Sequence, residues 1–445
     1  MPRFRNVDRR TPMLLPPNLQ DWVRPDSLVH FLIEVIEEMD LSTAHVNERG
    51  SGSEQYPPGT MLALLIFCYA HGIFSSRQIE RATHDYVDVR FLTGNNHPDH
   101  DTIAKFRREN DGLLRSAFVQ VLRYGQQLKV LRFGTLAIDG TKIKAAAQKS
   151  RTLTLEQLDE ELQQLELKVA ELLLQAAQAE AATTQESAAL PELGDAQKRR
   201  EALLAAKAEL KRQSELRHKE RTAERERLAK HVPPRGLPET GSPEPRPTDT
   251  VNLTDPGSSL TPGKQDAGFI QGYNAQVVVS VPEARGGLSL IVAADVVRDT
   301  SDQQQLEPMI RRSVENLQQT PALVLADRGY DNSAHIEAVE QSYRTRVVCP
   351  PVRNAQRKEN RNSRYYKWER QRRQKRDERE ARFETAEEKA LYQQRNTTVE
   401  PAFGIIKDAL GFDRFHLRGL EKVRTEWVLV ALAFNCRRIG AAQRN

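Results

Sequence analysis

Residues 323–332 read LVLADRGYDN. Leu323, Val324, Leu325 and Ala326 predict a buried strand that stops at an acid, Asp327, with Arg328 and Gly329 turning the chain away. Aspartate is depleted in strands, and an ionised carboxylate is costly to bury without a partner. One such Asp alone is an ordinary cap of a strand-to-helix turn. A second copy of the same device elsewhere in the chain makes it a feature of the fold.

That second copy lies at 131–144, LRFGTLAIDGTKIK, where an apolar strand is expected to end at Asp139 and Gly140. GFIQGYNAQVVVSV (268–281) and LSLIVAADVV (288–297) predict a hairpin joined by PEARGG. SDQQQLEPMIRRSVENL (301–317) predicts a helix capped by Ser301 or Asp302. After Asp327 come a helix from about 333 to 342 and a strand TRVVCPP (345–351) stopped by prolines. TTVEPAFGIIKDALG (397–411) predicts a helix capped by Thr397 or Thr398, with Pro401 in its first turn and Glu400 on it. If the strands of Asp139 and Asp327 lie side by side and parallel, both carboxylates meet at one sheet edge, where open α/β sheets bind ligands. A helix across that edge brings Glu400 to the same point. Three carboxylates repel unless a cation intervenes, and oxygen donors without His or Cys favour Mg²⁺ or Mn²⁺ over zinc. Two such ions about 4 Å apart serve phosphoryl transfer.

The rest of the chain frames this core. The 445 residues are 38% hydrophobic and 29% charged, with 66 Lys and Arg against 61 Asp and Glu. The pI near 9.0 is compatible with a nucleic-acid partner without establishing one. Cys68, Cys349 and Cys436 are sparse and in apolar contexts, which suits free thiols in a reducing cytoplasm rather than disulfides or zinc. The first residues lack the apolar core of a signal peptide, and runs such as MLALLIFCYA are too short to span a bilayer. A cytoplasmic protein without membrane contact is expected.

Residues 1–130 predict an all-helical N-terminal domain, suited equally to DNA binding and to plain helical packing. Residues 131–150 open the sheet core. Residues 151–231 carry a heptad seam through Leu155, Leu158, Leu162, Leu165, Val169 and Leu172, which predicts a helical hairpin or coiled coil with arms of about 45 Å. Residues 232–263, rich in Pro, Gly, Ser and Thr, predict a flexible linker. Residues 264–445 complete the core and include a basic run, 353–382, with thirteen Lys or Arg against five acids and Tyr365, Tyr366 and Trp368 interleaved. Basic residues with aromatics fit phosphates and unstacked bases, whereas a charge run more commonly marks a solvated face. The acids Asp299, Asp302 and Asp331 also fall near the sheet edge; Asp302 reads as a helix cap and Asp331 as a turn residue. The cluster HPDHD (97–101) reads as a polar loop entering a helix.

LAIDGTKIKA, GYNAQ, LADRGYDN and VEPAFGIIK, with HDTIAKFR in the N-terminal part, together resemble the bacterial insertion-sequence DDE transposases of the Y-R-E-K signature branch. The resemblance runs from about residue 15 to 440 apart from the insertions. It implies an α/β fold with an RNase H-like mixed sheet flanked by helices. It further implies Asp139, Asp327 and Glu400 as the metal-binding triad for two Mg²⁺ or Mn²⁺ ions. Tyr392, Arg395 and Lys407 would contact the transposon end, and Arg328 would stabilise a pentacoordinate phosphate or pair with Asp331. The spacing between Arg395 and Glu400 is one residue longer than the signature, and the helical insertion between the first Asp and the second strand is a further departure. The implied partners are terminal inverted repeats and target DNA, engaged by a homodimer. The implied activity is DNA cleavage and strand transfer; the alternatives are an inactive, transposase-derived DNA-binding protein and a structure-selective nuclease on the same core.

Overall fold

In a computed structural model, residues 18–47, 54–181, 189–229, 237, 239–263, 268–282, 287–352 and 366–443 are described. After a 3-10 turn at Leu19–Trp22, the first α-helix is α1 (Leu28–Glu37), whose N-cap is Ser27. The apolar α2 (Pro58–Ala70) is buried almost throughout. Four further helices follow: α3 (Ser76–Asp85), α4 (Val87–Leu92), α5 (His100–Glu109) and α6 (Asp111–Gln127). Asp99 caps α5 through Thr102 N, His97 meets Thr83 and His100 meets Glu80, so the HPDHD residues serve local structure.

The sheet is built on β1 (Thr135–Lys144), β4 (Ser259–Pro262), β5 (Phe269–Ser280), β6 (Ile291–Val297), β7 (Leu323–Ala326) and β8 (Arg346–Val348). β5 is antiparallel to β1 and to β6, while β1, β7 and β8 run parallel in that order. The resulting order, β6-β5-β1-β7-β8 with the second strand reversed, is the RNase H-like arrangement expected. β5 is buried from Gln271 to Ser280, the mark of a strand covered on both faces. Between the strands lie α9 (Leu306–Leu317) and α10 (Ser333–Tyr343), which pack on each other. Next come α11 (Tyr366–Phe383), α12 (Ala386–Asn396), α13 (Val399–Gly404) and the long α14 (Leu420–Gln443). α14 packs against β6, α2 and α6 at once, so the N-terminal helices and the sheet share one hydrophobic core. A wholly buried carboxylate, Glu426 on α14, accepts a bond from Tyr69 of α2, whose hydroxyl in turn accepts from Arg107 of α5.

The hairpin insertion is present as α7 (Leu155–Ala181) and α8 (Ala189–Leu228). Ion pairs Lys207–Asp159, Arg199–Glu161 and Lys168–Glu192 descend one helix as they climb the other, which makes the pair antiparallel. Leu158, Leu162 and Leu172 of the predicted seam are buried against Leu193, Leu203 and Leu210. The hairpin stands on a two-stranded ribbon, β2 (Thr152–Thr154) with β3 (Thr250–Asn252).

Four expectations change. β1 does not stop at Asp139: β5 runs on beside it to the Lys144–Gly272 pair, and only the ladder to β7 ends there. The described part of 232–263 is no flexible linker, since it carries β3 and β4. Its buried polar groups are satisfied: Asn252 donates to Gln148 O and Thr152 Oγ1, and Asp255 accepts from Tyr273 OH and Gly419 N. Helix α9 begins at Leu306, not near 301, and its N-cap, Gln305, makes no side-chain cap. Finally, the helix expected over 397–411 is broken. α13 ends at Gly404 and a π-turn follows over Ile405–Ala409. Of the basic run, 353–365 lies outside the described residues and the remainder forms α11.

Candidate active site

The parallel ladder of β1 with β7 closes at Ile138 opposite Ala326, so the next residues, Asp139 and Asp327, leave it side by side. Asp327 becomes the N-cap of a short 3-10 turn, its Oδ1 accepting from Gly329 N at 2.8 Å. Asp139 stays within the strand, and its Oδ1 accepts from Gly140 N at 2.8 Å. Gly140 is required by close approach: a Cβ there would fall 2.2 Å from Gln276 Nε2 and 2.7 Å from Asp302 Oδ1.

A guanidinium lies between the two acids. Arg395, in the last turn of α12, places Nη2 2.8 Å from Asp139 Oδ2 and 3.8 Å from Asp327 Oδ2. It is buried, and its Nε has no hydrogen-bond partner among the described residues. Burial pushes the Asp139 carboxyl up to about 6, the nearby Asp327 and Asp302 charges push the same way, and Arg395 opposes them. Asp327 is also raised by burial and by Asp302, against Arg395 and its backbone bond from Gly329.

Asp302 is the acid that sequence reasoning misassigned. Its side chain caps no helix. Its Oδ1 accepts from Asn274 Nδ2 and Gln276 Nε2, both at 2.7 Å, and its charge reaches both Asp139 and Asp327. Gln276 is held in turn by the buried Tyr330 hydroxyl. The signal was available in GYNAQ: Asn274 and Gln276, two apart on an otherwise apolar strand, share one face.

The remaining residues divide. Tyr392, one turn before Arg395, is half-buried with its ring edge-on to Phe383. Lys407, in the π-turn, hydrogen-bonds Thr141 Oγ1 and, at 3.3 Å, Lys142 O. Glu400 is exposed on the first turn of α13 and is not among the main charges acting on Asp139 or Asp327. A π-turn over Ile405–Ala409 begins between it and Lys407, so their seven-residue spacing is not a run of regular α-helix. Arg328 is exposed, and Asp331 pairs with Arg379 and accepts from Val352 N instead. Asp299 accepts from Ser301 N.

Among the described residues, no group of three or more His, Cys, Asp and Glu side chains is arranged to hold a metal ion. Two acids do face one cation, the guanidinium of Arg395. An oxygen-only pair that already neutralises a positive charge has the donor chemistry that suits a hard divalent ion. No helix among the described residues is long and apolar enough to cross a membrane.

A family model described as a transposase DDE domain matches residues 247–436, and one described as a transposase domain (DUF772) matches 17–109. Asp327, Arg395 and Glu400 fall inside the first span, while Asp139 lies between the two. Comparison with curated proteins and with solved structures gives no match.

Proposed function

Because the chain belongs to the insertion-sequence DDE transposases, we propose that it binds the terminal inverted repeats of its element as a homodimer and cuts and joins DNA at Asp139 and Asp327. The observation that carries this is the parallel register of β1 and β7, which sets the two acids together around a guanidinium. On this reading Asp139, Asp327 and Glu400 hold two Mg²⁺ or Mn²⁺ ions, and Asp302 deepens the negative potential beside them. When bound, the ions act as Lewis acids that activate the attacking oxygen and stabilise the leaving one.

The protein's own residues supply the rest. Arg395 leaves the acids and pairs with a DNA phosphate, exchanging one anion for another. Tyr392 on the same helix, Lys407 beside β1 and the exposed Arg328 add contacts to the transposon end. Water attacks phosphorus and the P–O3′ bond breaks, leaving a 3′-hydroxyl and a 5′-phosphate. The hydroxyl then attacks a target phosphodiester, forming one P–O bond as another breaks, so no ATP is needed.

One observation favours a second reading, a DNA-binding relative that no longer cuts: Arg395 occupies the acids while Glu400 faces solvent. A single experiment separates the two. The full chain is incubated with Mg²⁺ and a duplex carrying the DNA that flanks its reading frame. Nicks ending in a 3′-hydroxyl, lost in Asp139→Asn and Glu400→Gln while binding persists, support the transposase. Binding without nicks from the unaltered chain supports the second reading.

A further inference from the structure

Beyond the last residue of β1 the chain forms an open groove of about 510 Å³, lined by Gln148, Arg151, Thr254, Arg414, His416 and Arg418 around Phe415. No Asp or Glu is among the lining residues. We propose that this groove is a cleft for the DNA sugar–phosphate backbone, gripping the substrate at a distance from the Asp139–Asp327 pair. The proposal rests on the transposase reading above and adds to it a binding surface remote from the acids.

Three observations converge on it. First, two of the cations have no internal partner. Arg151 and Arg414 are exposed, and among the described residues neither guanidinium has a carboxylate partner. Arg418 is exposed too; its Nε donates to Ala146 O at 3.0 Å and its charge favours the ionised form of the buried Asp255. Three arginines around a groove with no acid in its wall make an anion site, and their spread suits a polyanion better than a single phosphate.

Second, the groove is rigid. Residues 413–415 extend the sheet: Lys144 N donates to Asp413 O at 3.2 Å and Phe415 N to Lys144 O at 2.9 Å. Phe415 is buried edge-on to Tyr273, Phe412 and Trp427. Glu426 holds the next turn from below through His416 N and Leu417 N. The arginines are therefore displayed on backbone that binding need not order.

Third, the groove lies one strand's run from the acids, and the charges on the way are already matched. Arg395 pairs with Asp139, Lys142 faces Asp302 at 4.0 Å and Lys144 pairs with Asp413 at 3.0 Å, so the groove is where the first uncompensated arginines stand. Asp139 to Lys144 spans about 17 Å at ~3.3 Å per residue. That corresponds to about five base pairs of duplex at ~3.4 Å each.

The test uses the full chain and a fluorescent duplex of the flanking DNA, in EDTA, with affinity measured against salt. Arg414→Gln with Arg418→Gln should lower the log–log slope by about two, at ~0.9 per lost phosphate contact, and Arg414→Lys should keep it. Arg311→Gln, on the exposed Arg311–Glu315 pair of α9, is the control and should change nothing. Phosphate ethylation about five base pairs from the nick should impair binding by the unaltered chain and be neutral for the double variant. Because the Arg414 side chain holds nothing in place, Arg414→Gln alone decides the matter if Arg418→Gln disturbs folding. An unchanged slope in variants of a chain that binds DNA overturns the groove and leaves the transposase reading standing. Failure of the unaltered chain to bind DNA overturns both. Competition by inorganic phosphate beyond its ionic strength would reassign the groove to a small phosphorylated ligand.

Discussion

Replacing Arg395 with methionine removes the cation shared by Asp139 and Asp327. The Arg395 and Asp139 side chains are 7% and 17% exposed and meet at 2.8 Å. At an effective dielectric of ~20 that separation is worth about 6 kcal/mol of gross attraction, most of it offset by desolvating both ions. Asp327, at 3.8 Å and 35% exposed, is more screened and adds little. Deleting one member of a buried pair costs about 3–5 kcal/mol because the other charge is left uncompensated. Proton uptake by Asp139 relieves part of this, since burial has already lifted its carboxyl to about 6 and Arg395 is the main influence holding it down. The net expectation is a loss of about 3 kcal/mol at pH 8, and a smaller loss at pH 5, where Asp139 is largely protonated in both proteins. Mg²⁺ should reverse the loss. A ligand of the folded state alone stabilises by about 2.7 kcal/mol at a hundredfold excess over Kd. In the unaltered chain the guanidinium competes for the same oxygens, so Mg²⁺ should stabilise it less. Urea unfolding followed by circular dichroism, at both pH values with and without Mg²⁺, reads all four quantities. Equal midpoints for the two proteins, or equal gains from Mg²⁺, would refute the reasoning.

Three further predictions concern the same core. Gly140→Ala drives a methyl into Gln276 and Asp302 and should cost about 1–3 kcal/mol; an unaltered urea midpoint would contradict the close approach. Divalent-cation affinity should fall as pH drops through about 6, because the raised Asp139 carboxyl takes a proton there. The same group makes folding take up a proton between its ordinary range and 6, so its contribution to stability declines as pH rises through that window. Mn²⁺ titration by electron paramagnetic resonance at pH 5 and 8 checks the affinity, and equal affinities would exclude Asp139 as a ligand. Glu426→Gln should cost about 3–5 kcal/mol by leaving Arg107 buried without its counter-charge. It should shift helical and sheet signals in one transition, and two separate transitions would argue against the shared core on α14.

The features legible in the sequence were those fixed by local patterning. Two apolar runs, each leading into an acid, marked β1 and β7 as strands, and the sequence left their adjacency as a condition that the register meets. The heptad leucines marked the hairpin, and HPDHD marked the entry to a helix. Features set by distant partners were not legible. β1 continues past Asp139 only because β5 lies beside it. β3 and β4 arise in a Pro- and Ser-rich stretch because Gln148, Tyr273 and Gly419, far away in the chain, satisfy its buried polar groups. Asp302 read as a cap because its true partners, Asn274 and Gln276, are on β5, distant in sequence from the loop that carries it. The π-turn after Gly404 had no signature in its sequence, which reads as a continuation of the helix.

The central claim is that Asp139 and Asp327 hold a divalent cation where the Arg395 guanidinium now stands. Anomalous scattering from Mn²⁺ in crystals of the chain bound to its flanking DNA tests it most directly. The account predicts a peak within coordination distance of both carboxylates, about 2.1 Å for a hard cation of this kind, with Arg395 withdrawn to a phosphate. No peak between the two acids, with Arg395 still bridging them on bound DNA, would contradict it.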